Sequence, residues 1–135
     1  MVIVAIPSMG NGGLNEEMSS GFGRCPSFTF VEIEDKKVKA VKTIVNHASN
    51  AMGGAGIQAS QIVGDNKANV AIVGFLGLNT ANALDSLNIK IMQAPNKDIT
   101  IKKVVDLYIN GMLQEIKSAN VESNYWMGGG ISRGV

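Results

Sequence analysis

Cysteine and histidine are nearly absent: the 135-residue chain has one of each, Cys25 and His47. One cysteine excludes an internal disulfide and suits a reducing compartment, so a cytoplasmic protein is expected. Self-contained zinc and iron–sulfur sites take several Cys or His ligands. Any metal cluster here must therefore be shared between subunits, open on one side, or held by other groups. Carboxylates are missing from the first apolar run, Val2-Ile3-Val4-Ala5-Ile6. Two-metal nucleases and phosphotransferases need clustered carboxylates, usually beginning on such a strand, so that class fits poorly. No Gly-x-x-x-x-Gly-Lys-Ser/Thr run is present, which excludes a P-loop. Gly53-Gly54-Ala55-Gly56 does not complete a dinucleotide fingerprint either. Net charge is only +1, so no broad basic face is implied. That weighs against nucleic acid or an anionic membrane as partner. No apolar run nears the ~20 residues of a membrane-spanning helix. The first apolar run has no basic flank and no cleavage site, and reads as a strand rather than a signal peptide.

Glycine, by contrast, is abundant: 16 residues, concentrated at 10–13, 21–23, 53–56 and 128–130. The length makes one domain with a real core, and 45% apolar residues fit a globular protein. Residues 2–7 are continuously apolar, as in a strand buried on both faces. Residues 27–33 and 38–45 read as a hairpin across the polar turn 34–37. Lys36, Lys37, Lys39 and Lys42 suit its exposed edge. A helix follows the 53–56 glycines, with Ala55, Ala59, Ile62 and Val63 on one face. Residues 70–73 and 89–92 are strands joined through a helix that follows the loop 74–79. Such a connection makes them parallel by a right-handed crossover. Thr100 is placed to cap a last helix running to about residue 117, which would bury Tyr108, Met112 and Ile116. The expected fold is α/β, in the order β-β-β-α-β-α-β-α, with a five-stranded mixed sheet flanked by helices. The folded domain is 1–117, and 118–135 is expected to be a flexible glycine-rich tail. The glycine loops should gather at one end of the sheet, where such folds bind ligands.

One stretch concentrates the chemistry: Ser19-Ser20-Gly21-Phe22-Gly23-Arg24-Cys25-Pro26-Ser27-Phe28. Gly21 and Gly23 free the backbone for close approach to a ligand. Arg24 offers a planar, permanently charged fork to an anion. Cys25 offers a soft ligand, or else is a small packing residue beside Pro26. His47 is either a second ligand facing Cys25 across the sheet end or a loop histidine. Gly53, Gly54 and Gly56, at a helix start, supply free N–H groups and the positive end of a helix dipole, or simply a tight turn.

The stretch Ser20-Gly21-Phe22-Gly23-Arg24-Cys25-Pro26-Ser27-Phe28 resembles the signature of the dinitrogenase iron-molybdenum cofactor biosynthesis family. Three further pieces match in order and spacing. Gly54-Ala55-Gly56 precedes the first helix; Gly74-Phe75-Leu76-Gly77-Leu78-Asn79-Thr80-Ala81 resembles the family's glycine-rich Asn-Ala loop; Asn88-Ile89-Lys90-Ile91 resembles its final strand entry. The resemblance spans roughly residues 1–115 and adds Gly77 and Asn79 to the candidate site. It implies a ribonuclease H-like fold. It also implies a non-enzymatic carrier of an iron–sulfur or molybdenum-containing cluster or precursor, held transiently and passed between donor and acceptor proteins. One branch of the family carries a molybdenum–copper–sulfur cluster. A homodimer would complete a site with so few ligands. Two departures stand out: many members have His where this chain has Gly21, and a small residue where it has Cys25. The competing expectation is a module that binds a small anion or a nucleotide through the three glycine loops and Arg24.

Overall fold

A computed structural model of the chain describes residues 1–95 and 97–117; the expected tail lies outside the described residues. Strands β1 (Val2–Ser8), β2 (Ser27–Glu34), β3 (Lys37–Val45), β4 (Val70–Val73), β5 (Lys90–Gln93) and β6 (Gln114–Ile116) form one sheet in the order β3-β2-β1-β4-β5-β6. The helices are α1 (Ala55–Asp65), α2 (Leu78–Ser86) and α3 (Ile101–Ile109), with a 3-10 turn over His47–Asn50.

β1 is central because nothing along it needs water. It pairs antiparallel with β2 and parallel with β4. Its alternation feeds two cores. Ala5 joins Phe28, Phe30, Ala71 and Val73 beneath α1 and α2, while Val4 and Ile6 join Val31, Ile72 and the α3 residues Ile101, Val104 and Val105 on the other face. The result is three layers, with the sheet in the middle. β4 and β5 are parallel, as their helical connection requires. β2 and β3 form the expected hairpin. Its turn residues Asp35 and Lys36 both have positive φ, 55° and 64°, which matches the twist of a two-residue hairpin turn. β3 is an edge strand, exposed over most of its length.

The sheet has six strands, not five, and the last helix is shorter than its periodicity suggests. α3 stops at Ile109, and Gly111 follows in the left-handed region at φ +69°. A glycine there ends a helix without strain. The chain then reverses, and β6 pairs antiparallel with β5, placing Ile116 opposite Ile91. Ile116 therefore packs on the α1–α2 core as a strand residue, and Met112 sits in the turn, 69% exposed. The 3.6-residue spacing of Tyr108, Met112 and Ile116 was coincidental across a glycine stop.

Two of the four glycine-rich stretches meet at the carboxyl ends of β1 and β4. The stretch at 10–13 belongs to a different device. Residues 9–18 fold over the start of α3: Ile101 and Lys102 amides donate to the carbonyls of Glu16 and Leu14, and the Met18 amide to that of Ile99. Leu84 is fully buried, whereas Met112 is not. Leu84→Ala should therefore cost ~2–5 kcal/mol in denaturant unfolding. Met112→Ala should change stability by no more than about 0.5 kcal/mol, against the several expected of a helical core residue.

Candidate functional site

The site is made by glycines that let backbones touch. A Cβ on Gly23 would sit 2.8 Å from the Gly56 nitrogen, so the loop after β1 lies directly on the first turn of α1. A Cβ on Gly56 would collide with the Thr80 hydroxyl, so α1 and the first turn of α2 are equally close. A Cβ on Gly74 would lie 3.1 Å from Ser20 Cα, and Gly21 bridges Phe75 in parallel register. Three chain segments thus converge without intervening side chains. Between them opens a cleft of about 640 Å³ lined by residues 21–24, 54–57 and 75–80.

The cleft is electropositive by construction. N–H groups in the first turn of a helix need an outside acceptor, and the helix dipole is positive there. At α3 this need is met internally, by the Thr100 hydroxyl accepting from the Lys103 amide and by the carbonyls of residues 14 and 16. At α1 and α2 the N-cap residues are Gly54 and Gly77, and neither supplies a side-chain cap. Both of those helix starts line the cleft. Arg24 adds a full positive charge, and none of the lining residues is a carboxylate. Arg24 Nη1 donates to the carbonyls of Ser49 (3.1 Å) and Ala51 (2.6 Å). That clasp uses one of the three guanidinium nitrogens and fixes the arginine against the 3-10 turn.

Of the residues singled out in the sequence, Gly21, Phe22, Gly23, Arg24, Gly54, Gly56, Gly77 and Asn79 line the cleft, and Gly53 does not. Cys25 and His47 are also outside it. Cys25 is 1% exposed, and its thiol donates to the Phe22 carbonyl at 3.3 Å. Burial pushes its pKa up to about 12, against the opposing effect of the Asn46 amide and nearby backbone groups. A thiol in that state is a packing group rather than a thiolate ligand. His47 is exposed in the 3-10 turn. Among the described residues, no three His, Cys, Asp or Glu side chains are grouped to hold a metal ion. None of the helices described is long and apolar enough to cross a membrane.

A family model described as "Dinitrogenase iron-molybdenum cofactor" matches residues 1–111, which contain every segment of this cleft. The chain belongs to that family. The chain is also similar to solved structures over most of its length. The apo form of the orange protein from Desulfovibrio gigas is 26% identical, with a TM-score of 0.78 over 86% of this chain and 93% of that one. A NifB-like Thermotoga protein of the DUF35 family is 25% identical, with a TM-score of 0.71 over 85% of this chain and 93% of that one. An uncharacterized Methanocaldococcus jannaschii protein is 29% identical over 103 residues, 76% of this chain and 86% of its own length.

The family signature pointed to the glycines and Arg24 but not to what holds them. Asn46, 1% exposed, donates to the carbonyls of Gly23 (3.1 Å) and Cys25 (2.9 Å) and accepts from the Ala48 amide (3.0 Å). Its place just before the 3-10 turn is the signal: Asn there caps local backbone. Ile57, Phe75 and Leu78 were also missed, because apolar residues in a loop or first turn show no periodicity.

Two outcomes check this geometry. Gly56→Ala should destabilise the protein by ~1–3 kcal/mol through the Thr80 collision. The double change Gly56→Ala, Thr80→Ala should recover most of that loss in thermal unfolding. For Cys25, the ordinary pKa is 9.0 and the folded value about 12. Below pH 9 both states hold the proton and nothing changes. Above it the unfolded chain loses its proton first, so stability falls by about 1.4 kcal/mol per pH unit until pH 12. The stability gap between wild type and Cys25→Ala should therefore narrow from pH 8 to pH 10 in denaturant melts.

Proposed function

We propose that this chain is a non-enzymatic carrier that holds an anionic metal–sulfide species, an iron–sulfur or molybdenum-containing cluster or its precursor, in the glycine-lined cleft. The observation that carries this reading is the convergence of two uncapped helix starts and Arg24 on a cleft without a carboxylate. Amides and a guanidinium suit an anion. The walls contributed by Phe22, Ile57, Phe75 and Leu78 suit one that is soft and weakly hydrated. Membership in the iron-molybdenum cofactor family supports the same cargo. The similar orange protein is known in an apo form, in keeping with a bound group that can leave.

The hold rests on backbone N–H groups and Arg24, with Cys25 and His47 outside the first contacts. Such a grip releases its cargo without breaking a metal–protein bond, which suits transfer from a donor protein to an acceptor. We read the three-layer architecture as ribonuclease H-like but without nuclease chemistry, since β1 carries no carboxylate. The lining also lacks His, Cys, Asp and Glu, the usual proton-transfer groups of an enzyme.

The test is an anaerobic titration with tetrathiomolybdate followed by visible absorption, with colourless molybdate and phosphate as competitors. A saturable change in the charge-transfer band is expected, persisting in Cys25→Ala and His47→Ala. Arg24→Ala should weaken binding ~10-fold or more, the weight of a hydrogen bond to a charged group. Equal binding of molybdate or phosphate would instead establish a general small-anion module. Loss of the band in Cys25→Ala with the fold intact would overturn the amide-held site.

A further inference from the structure

Arg24 is exposed, yet it is held at both its tip and its root. At the tip, Nη1 gives one N–H to the Ser49 carbonyl (3.1 Å) and the other to the Ala51 carbonyl (2.6 Å). The guanidinium is a rigid planar fork, in which Nη2 lies on the same side as the Nε–H. Among the described residues its hydrogen bonds all leave from Nη1, so the Nε–Nη2 edge stays open. That edge carries two parallel N–H donors, the pair that engages two adjacent acceptor atoms at once. At the root, Asn46 Nδ2 donates to the carbonyls on either side of Arg24, those of Gly23 (3.1 Å) and Cys25 (2.9 Å). The same residue builds the turn that supplies the clasp. Its Oδ1 accepts from the Ala48 amide and its carbonyl from the Ser49 amide, while the Ala51 amide donates to the Ala48 carbonyl. The Asn46 amide donates to the Pro26 carbonyl. Every polar group of this buried asparagine is used, and together they fix the root of Arg24 relative to its clasp.

We infer that Asn46 is a positioning residue, holding Arg24 at the cleft with its Nε–Nη2 edge open to two adjacent terminal atoms of the bound anion. The ligand half of this inference rests on the anion-binding reading of the cleft; the positioning half rests on the hydrogen bonds alone. A surface arginine that is not held must give up rotamer freedom when it grips a ligand. Here two carbonyls have already restricted it. The chemistry also accounts for asparagine at position 46. Aspartate brings no N–H donor for the two carbonyls, and serine has one proton for both. The open edge narrows the class of anion as well. A thiometallate, or the face of a metal–sulfide cluster, presents neighbouring terminal atoms to such a fork, and a monatomic anion does not.

The chain has two arginines, so its arginine Nε–H spectrum holds two signals, and Arg24→Lys assigns one by deletion. In the ligand-free, full-length wild type the Arg24 Nε–H should show an order parameter above about 0.6, and Asn46→Ser should bring it below that value. In tetrathiomolybdate titrations Asn46→Ser should weaken binding ~10-fold, and Arg24→Lys should lose as much as Arg24→Ala. In the Arg24→Ala background, Asn46→Ser should add less than about a twofold further loss, because it acts through the arginine. A backbone amide spectrum at the titration temperature establishes that each variant is folded. Three results overturn the inference. The first is an Arg24 Nε–H that is mobile in the wild type, a measurement that needs no variant, or one that Asn46→Ser leaves unchanged. The second is a ~10-fold loss from Asn46→Ser in the Arg24→Ala background, which makes Asn46 a general support of the cleft. The third is wild-type affinity in Arg24→Lys, which makes a point charge sufficient. Absence of tetrathiomolybdate binding by the wild type would overturn the cargo reading instead, and the order parameters would still decide whether Asn46 positions Arg24.

Discussion

The contact between the Gly23 and Gly56 backbones sets the geometry of everything at the carboxyl end of the sheet. Two chain segments approach there with no side chain between them, and Thr80 presses on the same spot from α2. Any larger residue would wedge the β1 loop away from α1. The cleft would then lose its shape, and its three walls would no longer share one electrostatic field. Helix dipoles act only over the first turn, so their effects combine only if the helix starts are this close. The small residues Ala55, Ala59 and Ala81, all buried, extend the same logic down the helices and hold them near the sheet.

Much of the polar interior beside the cleft is satisfied from within the protein, although the buried Gln93 Oε1 has no hydrogen-bond partner among the described residues. Asn46 satisfies two carbonyls of the Gly23–Cys25 turn, and Arg24 satisfies two more in the next segment. The Cys25 thiol donates a hydrogen bond to the Phe22 carbonyl and stays neutral. Phe22 in turn packs against Phe28, ring centroids 5.0 Å apart, so the signature loop is anchored in the core as firmly as a strand. The stretch that looks most reactive in one dimension is mostly scaffold in three. Of that stretch, the groups that line the cleft are the Gly21 and Gly23 backbone, Phe22 and Arg24.

Much of the fold was legible in the sequence because its signals are local. The continuous apolar run of β1, the lysine-rich hairpin edge, the glycine-led starts of α1 and α2, and the Thr100 cap each carry their own cause. β6 was not legible. Three residues of strand have little pattern, and a chance continuation of the α3 spacing masked the stop at Gly111. The site divided in the same way. Gly21, Gly23, Arg24, Gly54, Gly56, Gly77 and Asn79 could be named from glycine chemistry and the family signature. Which way Cys25 points, and that His47 stands apart from the cleft, depend on the register of the hairpin and the 3-10 turn. No residue-by-residue rule supplies that information.

The strap over the start of α3 has a consequence for synthesis. Residues 9–18 cannot complete their bonds until Ile99, Ile101 and Lys102 exist, because those residues provide the partners of Met18, Glu16 and Leu14. At ~5–20 residues per second, a chain made from its N-terminus carries that segment unpaired for on the order of ten seconds. β1 meanwhile waits for β4 on its second edge. The β2–β3 hairpin, made early and local in sequence, is then the shelter available to β1. The lysines along β3 keep the outer edge of that half-built sheet from recruiting a neighbouring nascent chain.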